Sequence, residues 1–252
     1  TTAVGQIAKG TSSVEATTAN LTGSGTIQVG SGDATTVNAA VQGLGAGQSV
    51  GSAYAKVQAI NAAAVPGLAA SATNNIELNV AATTGTASGD TYSLRINGQD
   101  IYATFDQNAG GALTTQQITD AINAQTGNTG VTASLSGGNL RLSATDGRDI
   151  NIAQAFGGSA AGGITAGSGG STTVNGVAFR DGQISATLAD ASAYSSTAAG
   201  VNGGTVTLAA SENIVITGDG AILGFATAGI TIAKDSTTLA SVNVKTVNGA
   251  ND

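Results

Sequence analysis

Two periods of apolar and polar residues run through this chain, and both are present between Thr114 and Leu142. Thr114 and Gln117 have capping-box spacing, and Leu113 and Ile118 have the spacing of a hydrophobic staple. Ile118, Ala121 and Ile122 then fall on one helix face. Gly127 and Gly130 are natural helix stops. Beyond them the period changes to two. Val131, Ala133 and Leu135 alternate with polar residues, Gly137-Gly138 permits a tight turn, and Leu140, Leu142 and Ala144 alternate back. The stretch predicts a short helix followed by a β-hairpin.

A looser copy precedes it, over Val57–Leu78. Ala59-Ile60-Asn61-Ala62 matches Ala121-Ile122-Asn123-Ala124, and Gly67-Leu68-Ala69-Ala70-Ser71 matches Gly130-Val131-Thr132-Ala133-Ser134. Ile76 and Leu78 answer Leu140 and Leu142. A third, partial copy keeps only strands: Val206, Leu208, Ala210, Ile214 and Ile216 follow Leu140, Leu142, Ala144, Ile150 and Ile152. Repeats of this length indicate a modular, elongated, β-rich protein.

The remaining segments fill in that picture. Thr1–Ala19 is a polar lead-in expected to pair with the far end of the chain, and Thr26–Val29 reads as a strand. Ser52 is a plausible N-cap for a helix whose stripe is Ala53, Val57, Ile60 and Ala64, with Pro66 ending it. A strand pair is expected over Leu68–Ala72 and Ile76–Val80. Tyr92, Leu94 and Ile96 lead into Asn97-Gly98, a strong hairpin signal, and Ile101, Ala103 and Phe105 return. Asp146-Gly147-Arg148-Asp149 closes this unit before a strand at Ile150–Ile152. Gly157–Thr173 is a Gly/Ala/Ser/Thr tract expected to be a domain boundary. Past it, Asn175-Gly176 turns into Val177–Phe179, and strands are expected near Ile184–Leu188, Thr205–Ala209, Asn213–Thr217, Ile230–Ala233 and Ala240–Val247. The fold expected is mainly β with two short α-helices: two elongated antiparallel β domains of repeated ββαββ-like units. Residues 20–160 would form a distal domain with the two helix-plus-hairpin repeats. Residues 1–19 and 161–252 would form a proximal one.

Composition sharpens this. The 252 residues include 38 Gly, one Pro, 3% aromatic and 9% charged residues. The core must come from Ala, Val, Ile and Leu, so each residue buries little area and thin domains are favoured. The chain has no Cys, His, Met or Trp. That excludes disulfides, thiolate chemistry, Cys/His zinc sites and imidazole catalysis. The missing initiator Met suggests a fragment or a processed chain. Net charge is −7, which disfavours nucleic acid and anionic membranes as partners. No apolar run is long enough for a transmembrane helix. Mean hydropathy of +0.17 exceeds that of disordered tracts.

Candidate chemistry is sparse. Gly45–Gly51 precedes a helix but lacks dinucleotide-binding spacing, so its glycines are assigned to the backbone. Asp146, Arg148 and Asp149 make too incomplete a ligand set for calcium and read as a turn with a surface ion pair. Asp219, between two glycines, also reads as a turn. Glu15, Glu77 and Glu212 show no pairing for acid/base work. Asn20-Leu21-Thr22 is a formal glycosylation sequon. No catalytic, cofactor-binding or metal residue is assigned, and no cofactor.

The repeat resembles the insertion motif of bacterial flagellins and some hook-associated and cap proteins. The residues that carry it are Ile96-Asn97-Gly98-Gln99-Asp100-Ile101, Ile118–Asn123, Gly130–Ser134 and Leu140–Gly147, with the Ala59–Asn61 and Gly67–Ser71 copy. Ser241–Thr246 through Gly249–Asp252 resembles the point where flagellin's variable region re-enters its C-terminal core helix. The resemblance implies the outer, D2/D3-type part of a flagellin subunit, since heptad-patterned terminal helices are lacking. Such a part would be structural, extracellular and antigenic, with neighbouring flagellin subunits as partners. Antibodies or host surface molecules are possible further partners, and the isolated fragment would be a monomer. The alternatives are the middle domain of a hook-associated or filament-cap protein, or a carbohydrate-binding adhesin module with a groove lined by Tyr54, Tyr92, Tyr102 or Tyr194.

Overall fold

The structure is a computed structural model that describes residues 19–167, 172–174, 177–182, 184, 201–225 and 227–234. In chain order the elements are β1 (Thr26–Val29), β2 (Thr35–Thr36), α1 (Ala53–Ala62), β3 (Leu68–Thr84), β4 (Thr91–Ile96), β5 (Gln99–Asp106), α2 (Gln107–Gly110), α3 (Thr115–Ala124) and α4 (Thr126–Thr129). Then come β6 (Thr132–Ser136), β7 (Asn139–Ala144), β8 (Ile150–Gly157), β9 (Ala161–Thr165), β10 (Thr172–Val174), β11 (Val177–Asp181), β12 (Val201–Asn202), β13 (Thr205–Ala210), β14 (Ile214–Thr217) and β15 (Ile230–Ile232). The protein is mainly β, and among the described residues the strands pair antiparallel except where β11 runs parallel to β3. Among the described residues no helix is long and apolar enough to cross a membrane.

The helix starts follow the sequence. Thr114 and Gln117 close a reciprocal capping box on α3. The Ser52 hydroxyl accepts the Ala55 amide at the start of α1. Ile118 and Ile122 are fully buried, with Leu140 and Leu142 opposite them in the same core. Asn97 and Gly98 both take positive φ, the geometry a two-residue hairpin turn requires.

Several boundaries differ from expectation. Residues 68–84 form one seventeen-residue strand, not a hairpin. α1 ends at Ala62, four residues ahead of Pro66, so Ala64 lies outside the helix, at positive φ. Gly127 sits inside the single-turn α4, and the stop falls at Gly130, in the left-handed region. The Gly/Ala-rich tract contains β9, paired to β3. The expectations for Thr1–Ala19 up to its last residue, the Asn175-Gly176 turn, residues 185–188 of the strand expected at Ile184–Leu188, and Ala240–Val247 lie outside the described residues.

The three sequence copies resolve into two structural ones. In the second copy, Asn123 on α3 clamps Ala133: its amide donates to the Ala133 carbonyl at 2.9 Å and its oxygen accepts the Ala133 amide at 2.7 Å. Ala133 in turn faces Leu142 across the β6–β7 hairpin. In the first copy, Asn61 on α1 clamps Ala70 in the same reciprocal way, at 3.1 and 3.3 Å. Ala70 faces Leu208 of β13. The partial copy at 206–216 therefore completes the first one. The flanking sheets agree: strand orders β15-β14-β1-β2 and β12-β8-β4-β5 are the same arrangement twice. What differs is the hairpin turn. In the second copy it is Gly137-Gly138; in the first, residues 74–204 stand between the two strands. One unit is nested in the turn of the other.

Two cores follow. The first draws on Leu21, Ile27, Val57, Ile60 and Ala72, then on Val206, Leu208, Ile214, Ile216 and Ile232. The second takes Ile76, Leu78, Tyr92, Leu94, Ile96, Ile118, Ile122, Val131, Leu140, Leu142, Ile150 and Ile152, with Ile164 from β9. The long strand β3 belongs to both, with residues 68–73 paired to β13 and 74–79 to β7.

Candidate functional site

The two glycine-containing loops singled out for possible chemistry meet each other where the cores adjoin. One is the approach to α1, at Gly45–Gly51; the other is the Asp146–Asp149 turn between β7 and β8. The Asp149 amide donates to the Gly47 carbonyl at 2.7 Å. Ser49 Oγ donates to Asp149 Oδ2 at 2.5 Å, and Gln48 Nε2 to Asp146 Oδ2 at 3.0 Å. Arg148 Nη1 reaches the carbonyls of Ala46 at 2.9 Å and Thr129 at 3.3 Å. Its other nitrogens hold Asp146 at 2.8–3.1 Å. The Tyr54 amide on α1 donates to the Gly147 carbonyl.

The next layer is amide side chains on backbone. Fully buried Asn74, in mid-β3, donates to the carbonyls of Arg148 and Asn202. Asn202 donates to Ile150, and Asn97 to Thr129. Arg180 bonds Asn74 Oδ1 and the Gly203 carbonyl. Buried carbonyls left without such donors would each cost roughly 1–3 kcal/mol, so this layer keeps a polar seam tolerable between two apolar cores.

Electrostatics concentrate on two buried charges. Burial lowers the Lys56 ammonium to about 8, against the raising effect of Asp149. Burial likewise pushes the Asp149 carboxyl up to about 6, against the Ser49 hydrogen bond and the Lys56 charge. Lys56 Nζ donates to the Ile222 carbonyl at 3.1 Å. Burial also opposes the charged form of Asp146, but its bonds from Arg148 and Gln48 win and hold it below the usual carboxylate range. Lys56 was not singled out from sequence. The available signal was its position: three residues after Ala53 and four before Ile60, on the apolar face of α1.

The acidic candidates are engaged in structure. The expected surface turn is partly buried: Asp149 is 4% exposed, and the Arg148–Asp146 pair sits inside the seam. Glu77, in β3, pairs with Arg141 of β7 at 2.7 Å and accepts from Asn139. Arg141 also lies over the Phe179 ring. Glu212 pairs with Lys234 on the surface, and Asp219 accepts the amide and hydroxyl of Thr22, within the sequon. Asp90 accepts backbone amides from Ser159, Ala87 and Thr86, which hold its carboxyl below the ordinary value. Glu15 lies outside the described residues. Among the described residues no three or more acidic side chains converge on a point that could hold a metal ion.

The described tyrosines divide between the two cores. Tyr92 is fully buried, packed against Tyr102 and Phe156 with ring centroids 5.9 and 5.3 Å away. Tyr54 packs on the other core, and Tyr194 lies outside the described residues. A sugar groove would need their faces open and side by side; Tyr92 has none to offer.

No curated protein matches the chain. Residues 93–146, from β4 through the Asn97-Gly98 hairpin, α3 and the β6–β7 hairpin to Asp146, match the family model described as the flagellin hook IN motif.

Proposed function

We propose that the chain is the surface-exposed portion of a flagellar filament subunit, a non-catalytic element of an extracellular motility structure. The observation that carries this is the motif match, which falls on the best-formed module of the chain and ends at the turn that locks the two units together. The chemistry supports the same reading. Small aliphatic side chains dominate both cores, and the described acids flagged from sequence serve ion pairs and loop hydrogen bonds. In this role the outward faces present Ser, Thr and Asn to solvent, neighbouring subunits are the main partners, and the exposed surface is antigenic. No residue carries catalysis.

For the domains we propose a division through the middle of β3 rather than near residue 160. One unit combines residues 20–73 with 205–234; the other is nested within 74–204. The first core's membership, joining 21–72 to 206–232, supports that line.

A second reading, as the middle of a hook or hook-associated protein, is favoured by the description of the matched motif itself. Immunogold labelling separates the two. Antibodies raised against the purified chain are expected to decorate flagella of the producing organism along their whole length. Label confined to the filament's base or tip would favour the second reading. Label on the cell body alone would contradict both.

A further inference from the structure

We propose that Ser49, Lys56 and Asp149 form a proton-controlled clasp between the two units, one that holds more tightly when Asp149 is protonated than when it is ionised. The cluster spans the seam. Ser49 and Lys56 belong to the first unit, and Asp149 to the turn of the nested one. Opening the seam breaks the bonds from Asp149 N to Gly47 O and from Tyr54 N to Gly147 O, and brings the Asp149 carboxyl into water. An ionised carboxylate gains far more from that hydration than a neutral acid, so ionisation favours opening.

The surroundings leave Asp149 as the group that responds in the acid range. On its own turn, Asp146 is held ionised by Arg148. From α1 the facing charge is Lys56, which is protonated throughout that range. From the loop before α1 come only Gln48 and Ser49, which are uncharged. Arg180 on β11 lies one residue further off, on Asn74, whose amide reaches the Arg148 carbonyl. Asn97 and Asn202, also at the seam, are neutral.

The direction is fixed by linkage. With its closed-state value raised to about 6, Asp149 takes up a proton in the closed seam before it would in water. The added stability is absent above that value and grows as pH falls through 6 toward 4. The clasp therefore tightens on acidification, opposite to the effect of Asp90 and Asp146.

Hydrogen exchange at the Tyr54 and Asp149 amides, normalised to intrinsic rates, tests this on the intact chain. Protection is expected to be about tenfold greater at pH 5 than at pH 7. In Asp149→Asn the difference should fall below about twofold, with pH 7 protection approaching the wild-type value at pH 5. Lys56→Met is a second variant. Removing the cation that favours the charged carboxylate should move the transition to higher pH. Equal or weaker wild-type protection at pH 5, an unaltered profile in Asp149→Asn, or an unmoved transition in Lys56→Met would each overturn the proposal.

Discussion

Replacing Ile122 with Ala is expected to destabilise the nested unit by about 2–5 kcal/mol. Ile122 is fully buried on α3, in the same core as Ile118, Val131, Leu140 and Leu142. The loss has two parts: apolar area returned to water and a void that neighbours held by a capped helix and a hairpin fill poorly. Ile60 occupies the matching position on α1 and is 1% exposed, so Ile60→Ala should cost a similar amount in the other core. Denaturant unfolding measures the size, and exchange at core amides shows which unit is affected. Gln116→Ala, on the exposed face of α3, serves as the control and should change stability by no more than about 0.5 kcal/mol. An unchanged midpoint in Ile122→Ala would contradict the packing of α3.

Gly147→Ala should weaken the seam by about 2–5 kcal/mol. Two effects add. Gly147 has φ +78°, where an L side chain costs roughly 1–2 kcal/mol. Its added Cβ would also come 2.2 Å from the Cβ of Ala72, which has no rotamer to move out of the way. Overpacking of that kind costs about 1–3 kcal/mol. Gly138→Ala separates the two. Gly138 has φ +86° but nothing within 4 Å of a new Cβ, so it should show the backbone part alone. Equal losses at the two positions, by thermal or denaturant unfolding, would mean that Gly147 is not a contact between the units.

What sequence could reveal was local. The capping box, the Asn97-Gly98 turn and the alternation of Leu140, Leu142 and Ala144 each depend on residues a few positions apart, and each is present. The third copy was legible as a pattern, and its five apolar residues are all buried. Its meaning was not legible, because Leu208 pairs with Ala70 across the whole nested unit. The same distance hid the continuity of β3. Thr73-Asn74-Asn75 reads as the turn between the two strands expected at Leu68–Ala72 and Ile76–Val80, since polar residues in sequence imply solvent. Asn74 instead lies buried in mid-strand, where carbonyls from Arg148 and Asn202 require a donor. The Gly45–Gly51 loop reads as an approach to a helix and the Asp146–Asp149 turn as a surface ion pair, because neither sequence alone points to the other, and it is their contact that buries the turn. Lys56 was hidden by a general expectation that lysines stay at the surface.

One module occurs twice in this chain, with one copy set into the hairpin of the other. The most direct measurement is to delete residues 74–204 and join Thr73 to Thr205 through Gly-Gly, restoring the short turn that the nested copy has at Gly137-Gly138. The shortened chain is expected to unfold cooperatively, with the Ala70 amide still protected by Asn61 and the β3–β13 pairing intact. A chain without a cooperative transition and without protected amides at Ala70 and Leu208 would show that the outer copy has no independent fold, and the nested description would fail.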